Sequence, residues 1–423
     1  MASEFVSLAV IALIAAVAPV IANALPRKPI PETVLLLLLG AVFGPNVLGI
    51  IELGEPISLL SELGLAFLFL LAGYEIDPRM VAGKAGRKGL VTWIVTFFIA
   101  TAVFVMYPDS TIGGIGAIPM AIVLSTTALG TLMPILKERG ILGHRVGDAV
   151  LAYGVWGELG PILAIAVLLS TRSGFKTAII LAAFLVLCMF ITHRATSARD
   201  RGTHLYRFLE AYANTTSQTT VRMTVLLLIG LVTFSAVFDL DLVLGAFAAG
   251  FVLRATMPEG GRQLEEKLDA IGFGFLIPLF FVVSGAKVDP ASVLERPVLL
   301  VVFIVMLVVV RTMPIIVSLS MGPREERLSK HERVSVAFYC TTALPIIVAV
   351  TSLLVDGGSM ESSTASIMVA AGAFSVFLMP LLARVSYRVA DGARIEDADD
   401  FPIVPIPGID LHMGDIIHPR RDA

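Results

Sequence analysis

The sequence predicts an all-α membrane protein with about 13 transmembrane helices, built as two inverted five-helix repeats that contain crossed, discontinuous helices. Three observations support this fold class: the composition, the spacing of apolar runs, and an internal repeat. Of the 423 residues, 57% are hydrophobic and 15% are charged, whereas a water-soluble domain carries about 25% charged residues. A chain with so little polar surface to present to water is expected to be surrounded by lipid.

Apolar runs of about 17–25 residues, each long enough to cross about 30 Å of hydrocarbon as a helix, divide the chain into spans. Lys and Arg concentrate in every second loop between these runs, as they do in cytoplasmic loops. This alternation predicts a multi-pass protein of the cell (inner) membrane, with its N-terminus outside and its C-terminus in the cytoplasm. The runs lie near 5–24, 31–50, 57–74, 89–108, 113–136, 146–170, 174–192, 220–238, 241–254, 268–286, 297–318, 332–354 and 361–386.

The first run also has to be distinguished from a cleaved signal peptide. The residues before it contain no Lys or Arg and include Glu4, whereas a signal peptide begins with a basic region. We therefore expect a retained membrane helix.

Three pairs of similar segments recur in the same order along the chain, with offsets of roughly 205–215 residues. Seven spans separate the starts of the two copies, and because this number is odd the copies face opposite ways. Inverted repeats with interrupted helices near the midplane are a design of secondary transporters. We therefore predict that spans 2–6 and 9–13 are inverted copies. The pairs are LLGAVFG (38–44) with VLGAFAAG (243–250), FLLAGYEIDP (69–78) with FVVSGAKVDP (281–290), and TTALG (126–130) with TTALP (341–345).

The third pair lies inside spans and combines Thr with Gly or Pro. Pro removes a backbone donor from a helix, Gly has low helix propensity, and freed backbone survives at this depth only where protein or water satisfies it. Taken singly, each segment is more typical of a kinked helix. Their matching positions instead predict two neighbouring unwound segments, whose hydroxyl groups can ligate a small cation. The candidate ligands are Ser125, Thr126, Thr127, Thr341 and Thr342.

Glu158 stands in VWGELGPILAIAV (155–167), about twelve residues into the sixth span and near mid-membrane depth. An ionised side chain at this depth costs from roughly 3 to above 10 kcal/mol, and desolvation favours the neutral form of a carboxylic acid. Such a group can exchange a proton for a cation. We predict that Glu158 faces the bundle or a water-filled cavity and carries the transported ion; a purely structural buried Glu is the alternative.

Arg311, in LVVVRTMPII of the eleventh span, is the second charge at depth. Arg stays protonated in proteins, so it cannot be the proton carrier. It is expected either to pair with Glu158 when no cation is bound or to lie against the negative end of a half-helix, and snorkelling to the interface is the structural alternative. The remaining acids near spans are predicted to be solvated or to line funnels; they are Glu62, Glu75, Asp148, Asp239 and Asp241.

The composition gives no support to several other classes of protein. The net charge of −3 gives no reason to expect nucleic acid. Cys188 and Cys340 lie inside apolar runs without disulfide or metal spacing, and none of the six His lies in an HExxH arrangement. We therefore expect no cofactor, and a transporter instead of an enzyme.

Five segments, taken together, resemble the monovalent cation:proton antiporters of the CPA2 family, which contains sodium/proton antiporters and glutathione-gated potassium efflux systems. They are PIPETVLLLLLGAVFGPNVLG, LGLAFLFLLAGYEIDP, LSTTALGTLMPILKERG, LGAFAAGFVL and LIPLFFVVSGAKVDP, and the resemblance covers about residues 5–390. It implies an NhaA-like fold, a homodimer, and a mobile core with two crossed, broken helices. The implied domains are a membrane domain (1–390) with a scaffold (about 5–74 and 220–286), a core (about 89–170 and 297–386) and a linker helix (174–192), then a short cytoplasmic tail (391–423).

Members of this family carry an acid in the sixth helix, preceded by Asp, Asn or Gln, and a basic residue in the eleventh. Here Gly157-Glu158 stands at the first position, so Glu replaces the usual Asp and the polar partner is absent, while Arg311 matches the second. The acid that some members carry beside the first break is replaced by Thr126 and Thr127. The resemblance implies a site formed by Glu158 and Arg311, with Gly157 and the hydroxyl groups of the breaks as further cation ligands.

The sequence thus predicts a secondary-active antiporter that exchanges Na+ or K+ for a proton by alternating access, with Glu158 binding proton and cation in turn. With one titratable acid and an Arg of fixed charge, electroneutral 1:1 exchange is expected. Two alternatives stay open: proton-coupled transport of another solute on the same fold, and a non-transporting sensor or channel-like subunit. The predicted partners are the cation, the proton, the lipid bilayer, a second copy of the chain and an unidentified regulatory subunit, without nucleic acid.

Overall fold

A computed structural model describes residues 2–24, 31–76, 81, 83–106, 116–168, 174–200, 218–238, 240–256, 262–321 and 328–386. All regular structure within these ranges is helical, in agreement with the all-α prediction. The predicted tail (391–423) lies outside the described residues, as do Asp239 and the end of the FLLAGYEIDP segment (77–78).

The helices of these ranges are numbered in chain order, and a π-helical turn, Gly272–Leu276, joins α11 to α12. They are α1 (Ala2–Ala24), α2 (Glu32–Phe43), α3 (Glu55–Glu75), α4 (Lys84–Met106), α5 (Ala117–Leu124), α6 (Leu129–Glu138), α7 (Arg145–Leu168), α8 (Gly174–Asp200), α9 (Thr219–Val237), α10 (Leu242–Thr256), α11 (Arg262–Ile271), α12 (Ile277–Ala286), α13 (Pro290–Glu295), α14 (Pro297–Ser320), α15 (Lys330–Tyr339), α16 (Pro345–Asp356) and α17 (Ser362–Ser386).

Eight helices in the described part of the chain are long and apolar enough to cross a membrane, and five shorter apolar helices fall within the other predicted spans. Several of the long helices direct large apolar side chains outward, such as Leu13 of α1, Phe98 of α4, Leu226 of α9 and Val298 of α14. Outward apolar surface of this kind is suited to lipid contact. The chain is therefore a multi-pass membrane protein, whereas the count of 13 crossings stays a prediction.

Two of the predicted spans are interrupted near their middle. The fifth is divided between α5, which ends at Leu124, and α6, which begins at Leu129; the twelfth is divided between α15, which ends at Tyr339, and α16, which begins at Pro345. Pro345 has no N–H to donate, and the first position of a helix requires none. Both interruptions fall in the Thr-rich segments, where the sequence predicts them.

The tenth span differs from the prediction of one uninterrupted helix over 268–286. The chain there passes through the π-helical turn, and the amide of Ile277 donates to Gly272, five residues back. Pro278 cannot donate to the carbonyl four residues before it, and two nearby glycines hold the α-helical form weakly. A local change of register at this point follows from these residues.

A reciprocal pair of glycine contacts joins α2 to α12. A Cβ atom at Gly40 would collide with the carbonyl of Val282, and one at Gly285 would collide with the carbonyl of Leu37. The two backbones therefore touch, and a side chain at either glycine would separate them.

A second reciprocal pair of glycine contacts joins α10 to α3. A Cβ atom at Gly250 would collide with the carbonyl of Leu70, and one at Gly73 would collide with the carbonyl of Phe247. Gly250 lies 210 positions after Gly40, and the corresponding shift between α3 and α12 is 212. Two copies of one unit related by an approximate twofold axis would produce such a pattern. For α3 and α12 this shift equals the offset at which the two sequence segments match, whereas for α2 and α10 it is five residues larger than the offset that pairs Gly40 with Gly245.

The described helices pack in two groups. In the first, α2 packs on α12 and α3 on α10, with α1 and α9 beside them. In the second, α4 packs on α5 and α7, while α14 and α17 pack on α15. Contact between α7 and α15 places Glu158 and the second helix break in this second group.

Candidate functional site

Three consecutive amides of the first helix break are satisfied by three different parts of the protein. The amide of Thr127 donates to the carbonyl of Gly157 (2.8 Å), and that of Ala128 donates to the carbonyl of Thr342 in the second break (2.7 Å). The amide of Leu129 donates to the carboxyl group of Glu158. The first amides of a helix have no partner within the helix, so these bonds hold the start of α6 in place.

Glu158 lies within α7, beside the first residue of α6, and is only 3% exposed. One side of its carboxyl group faces the Leu129 amide, at the positive end of the α6 dipole. Its Oε2 atom is buried and has no hydrogen-bond partner among the described residues. A buried carboxyl oxygen without a partner costs free energy, and binding a proton or a cation would supply the missing interaction.

Arg311 lies on α14 against the two helix breaks and is 1% exposed. Its Nη2 atom donates to Oγ1 of Thr127 (2.7 Å), and its Nε atom donates to the carbonyl of Cys340 (3.3 Å). Cys340 caps the carboxyl end of α15, where the helix dipole is negative. Of the two placements that the sequence allows, the structure therefore has Arg311 against a helix end, and the pairing with Glu158 is absent from this conformation.

The hydroxyl groups of the first break bond to nearby carbonyls. Ser125 donates to Ile122 (3.0 Å), Thr126 donates to Val123 (2.9 Å), and Thr127 donates to Cys340 across the site. A hydroxyl that donates its proton keeps lone pairs for a cation. These three side chains are completely buried.

The two threonines of the second break differ from each other. Thr341 donates to the carbonyl of Ala337 (2.7 Å) and lies 3.3 Å from the hydroxyl of Thr312. Thr342 is fully buried, and its Oγ1 atom has no hydrogen-bond partner within the described residues. Thr342 and Glu158 therefore each have a buried oxygen without a hydrogen-bond partner among the described residues. Both lie in segments whose backbone is hydrogen-bonded to the first break.

Gly157 has a close-packed position, and its carbonyl is already bonded to the Thr127 amide. A Cβ atom at this residue would collide with the guanidinium group of Arg311 and with the side chain of Thr127. The absence of the family's polar residue therefore has a steric explanation, because Arg311 and Thr127 occupy the space that such a side chain would need.

Sequence reasoning missed two residues of the site. Glu75, predicted to be solvated or to line a funnel, ends α3 close enough to Glu158 for the two carboxyl groups to interact electrostatically, and its Oε2 atom is buried. Ser375 of α17 accepts a hydrogen bond from the amide of Ala343 in the second break (3.0 Å). The GYEID segment could have drawn attention to Glu75, whereas a lone Ser in an apolar helix carries no sequence signal.

The oxygens gathered here are carbonyl, hydroxyl and carboxyl oxygens, which suit hard cations. Within the described residues, no three His, Cys, Asp or Glu side chains come together as a metal site. The arrangement can hold one proton or one cation at Glu158, with the carboxyl group of Glu75 within electrostatic reach and a fixed positive charge at the neighbouring helix end.

Comparison with known proteins gives a family match over most of the chain. The family described as "Sodium/hydrogen exchanger, transmembrane" matches residues 10–384. The "Putative Na(+)/H(+) antiporter YjbQ" of Bacillus subtilis is 28% identical over 317 residues, covering 70% of this chain and 49% of the relative. The "Probable Na(+)/H(+) antiporter 3" of Methanocaldococcus jannaschii is 22% identical over 272 residues, covering 64% of this chain and 69% of the relative. The chain thus spans about half the length of the first of these relatives.

A solved structure has the same fold. The "sodium proton antiporter MjNhaP1 from Methanocaldococcus jannaschii at pH 8" superposes with a TM-score of 0.62 at 14% identity, covering 91% of this chain and 97% of that one. At this identity the likeness concerns the fold alone.

Proposed function

The chain belongs to the sodium/hydrogen exchanger family, which confirms the predicted resemblance at the level of the family, and we propose that it exchanges Na+ or K+ for a proton across the cell membrane. The observation that carries this proposal is the Oε2 atom of Glu158, which is buried and has no hydrogen-bond partner among the described residues. A proton on this group removes its negative charge and a bound monovalent cation balances that charge, and because both use the same group they exclude each other.

Glu158 is the carrier in this proposal. In the protonated state its carboxyl group is neutral and accepts the Leu129 amide. Loss of the proton leaves a carboxylate at the positive end of α6, to which a dehydrated cation binds with oxygens of the two breaks. The Thr342 hydroxyl, buried without a partner in the described part of the chain, is the first of these oxygens, and the hydroxyls of Ser125, Thr126, Thr127 and Thr341 are the others.

Arg311 has a positioning role. Its two hydrogen bonds fasten Thr127 of the first break to Cys340 of the second, and its charge offsets the negative end of α15. Because Arg keeps its proton, and because Glu75 keeps one charge state throughout the cycle in this proposal, the site changes charge only through Glu158. One proton is then exchanged for one monovalent cation, and the exchange is electroneutral.

Alternating access requires the second group of helices, as a core, to move against the first group, as a scaffold. One place where they face each other is apolar: a Cβ atom added at Gly130 of α6 would lie in ordinary van der Waals contact with Leu68 and Ala72 of α3. Apolar contact of this kind is not directional and opposes sliding less than a hydrogen bond would. Glu158 moves with the core and meets each aqueous face in turn, and two scaffolds pair in a homodimer.

The test of this proposal is ion-driven collapse of a pH gradient. Purified protein is reconstituted in liposomes with a pH-sensitive dye, and Na+, K+, Li+ and choline salts are added in turn. We expect Na+ or K+ to dissipate the gradient with saturable kinetics, while choline and protein-free liposomes give no response. A gradient that withstands all three metal cations would refute cation exchange and would favour another proton-coupled solute.

A further inference from the structure

One hydroxyl group holds both backbone groups of a residue in the second break. Ser375 of α17, which is fully buried, accepts a hydrogen bond from the amide of Ala343 (3.0 Å), and its Oγ atom lies 3.0 Å from the carbonyl oxygen of the same residue. Ala343 lies just before α16, and neither of its backbone groups is part of a helix. Ser375 therefore fixes the peptide that opens the second half-helix.

The same hydroxyl also lies 2.7 Å from the carbonyl oxygen of Gly372, one turn earlier on α17. A serine hydroxyl has one proton to donate, so it can serve Ala343 or Gly372 but not both at once. When the proton goes to Gly372, the Ala343 carbonyl is released, while its amide keeps Ser375 as an acceptor. The two arrangements differ by a rotation of one O–H bond.

Ser375 corresponds to Glu158 in the other repeat. It is the fourteenth residue of α17, as Glu158 is the fourteenth residue of α7. Each side chain accepts an amide hydrogen bond at the beginning of the second half of a broken helix, from Leu129 in one case and Ala343 in the other. The carboxyl group of one repeat is thus matched by a neutral hydroxyl in the other.

We propose that Ser375 is a positioning residue that sets cation affinity, by turning its hydroxyl proton between Ala343 and Gly372 and so presenting or withdrawing the Ala343 carbonyl as a cation ligand. This inference rests on the proposed cation exchange. The carbonyl is one residue from Thr342, whose own carbonyl binds the first break. A bound monovalent cation draws the carbonyl oxygen toward itself, and the hydroxyl proton then turns to Gly372.

Two substitutions of Ser375 and one control test the proposal. Ser375→Ala removes the hydrogen bond that the hydroxyl accepts and the one that it donates. Ser375→Cys keeps a side chain of similar size, but its thiol is only a weak donor and acceptor. The control is Thr364→Val in the same helix, because the Thr364 hydroxyl is buried without a partner in the described part of the chain. Initial rates of pH-gradient dissipation give KM for the cation, the maximal rate and the pH profile at saturating cation.

For Ser375→Ala we expect KM for the cation to rise about 3- to 10-fold, because the amide of Ala343 loses the hydrogen bond that holds its peptide in position and this loss outweighs the release of the carbonyl; the size corresponds to one net hydrogen bond. The maximal rate and the pH profile should stay as in the wild type, because Glu158 still binds its proton. The KM of Ser375→Cys should lie between the values of the wild type and Ser375→Ala, and the KM of Thr364→Val should match that of the wild type.

An unchanged KM in Ser375→Ala, or a loss of maximal rate at unchanged KM, would overturn the proposal and leave Ser375 a structural residue. If the Ala variant does not fold, the Cys variant decides in the same way. A wild-type protein that responds to no cation refutes the proposed exchange itself, whereas an active wild type with an unaffected Ser375→Ala variant refutes only this inference.

Discussion

The amide of Ala128 donates a hydrogen bond to the carbonyl of Thr342 over 2.7 Å, so the two helix breaks, 214 positions apart, are joined by their backbones. The bond uses an amide that α6 cannot satisfy and a carbonyl outside α15 and α16. The second break therefore supplies an acceptor that the first break lacks. Arg311 binds Thr127, the residue before Ala128, and Glu158 binds the amide of Leu129, the residue after it.

Replacing Glu158 with Gln should abolish exchange while the protein still folds. Gln has nearly the same shape and can still accept the Leu129 amide bond, but it neither releases a proton nor carries the negative charge that a cation needs. Cation-driven dissipation of a pH gradient should fall to the level of protein-free liposomes, with an unchanged elution volume in gel filtration. The matched control is Asp148→Asn, in the first turn of the same helix. Full activity of Glu158→Gln would remove this residue from the mechanism.

Exchange should not respond to membrane potential. If one proton replaces one monovalent cation, no net charge moves, whereas a cycle that moved one charge would gain or lose about 2.3 kcal/mol per 100 mV. The measurement is the rate of pH change in proteoliposomes at equal ion concentrations, with and without an imposed potential. A potential that drives proton movement under these conditions would rule out 1:1 stoichiometry.

Substituting Gly157 with Ala should impair both the site and the fold. The added methyl group would meet Arg311 and Thr127, and overpacking of this kind costs about 1–3 kcal/mol. We expect a lower melting temperature and a loss of exchange activity. Gly230→Ala in α9 is the matched control, since a Cβ atom there has nothing within 4 Å. Equal behaviour of the two variants would show that the close packing at Gly157 is unimportant.

The repeated glycine contacts predict two substitutions of similar effect. Gly40→Ala and Gly250→Ala each place a methyl group against a backbone carbonyl of the partner helix, at equivalent points of the two repeats. Each should lower the free energy of unfolding by about 1–3 kcal/mol, measured by thermal unfolding in detergent beside Gly230→Ala. If only one of the pair is destabilised, the two contacts are not equivalent in energy.

Much of the helical framework could be predicted from the sequence because its causes are local. The length of an apolar run decides whether a helix can span hydrocarbon. The Thr, Gly and Pro residues of TTALG and TTALP indicate where a helix is interrupted. The expected burial of Glu158 and Arg311 also follows from their position within such runs, and both are almost completely buried in the structure. The π-helical turn at Gly272–Leu276 was missed, because Gly and Pro weaken a helix without specifying which alternative form replaces it.

The partners of the site residues could not be predicted in this way. Arg311 had two plausible placements in the sequence, and only the packing of α14 against α15 places it at the Cys340 carbonyl. Glu75 lies at the end of α3, in the other group of helices, yet its carboxyl group is near that of Glu158. The register of α2 against α10 likewise emerged from which glycine approaches which carbonyl, whereas the register of α3 against α12 agrees with the sequence match.

The sequence by itself determined that this chain lies in a membrane, that two of its helices break at matching places, and that one acid and one arginine are buried among them. These features depend on the cost of transferring short segments from water to hydrocarbon, which is a property of the segments alone. Only the tertiary structure decided which amide, carbonyl and hydroxyl satisfy one another across the breaks, and that Ser375 and Glu158 each accept an amide hydrogen bond near the start of a second half-helix. Such hydrogen bonds join residues far apart in the chain, and their geometry is fixed only when the helices pack together.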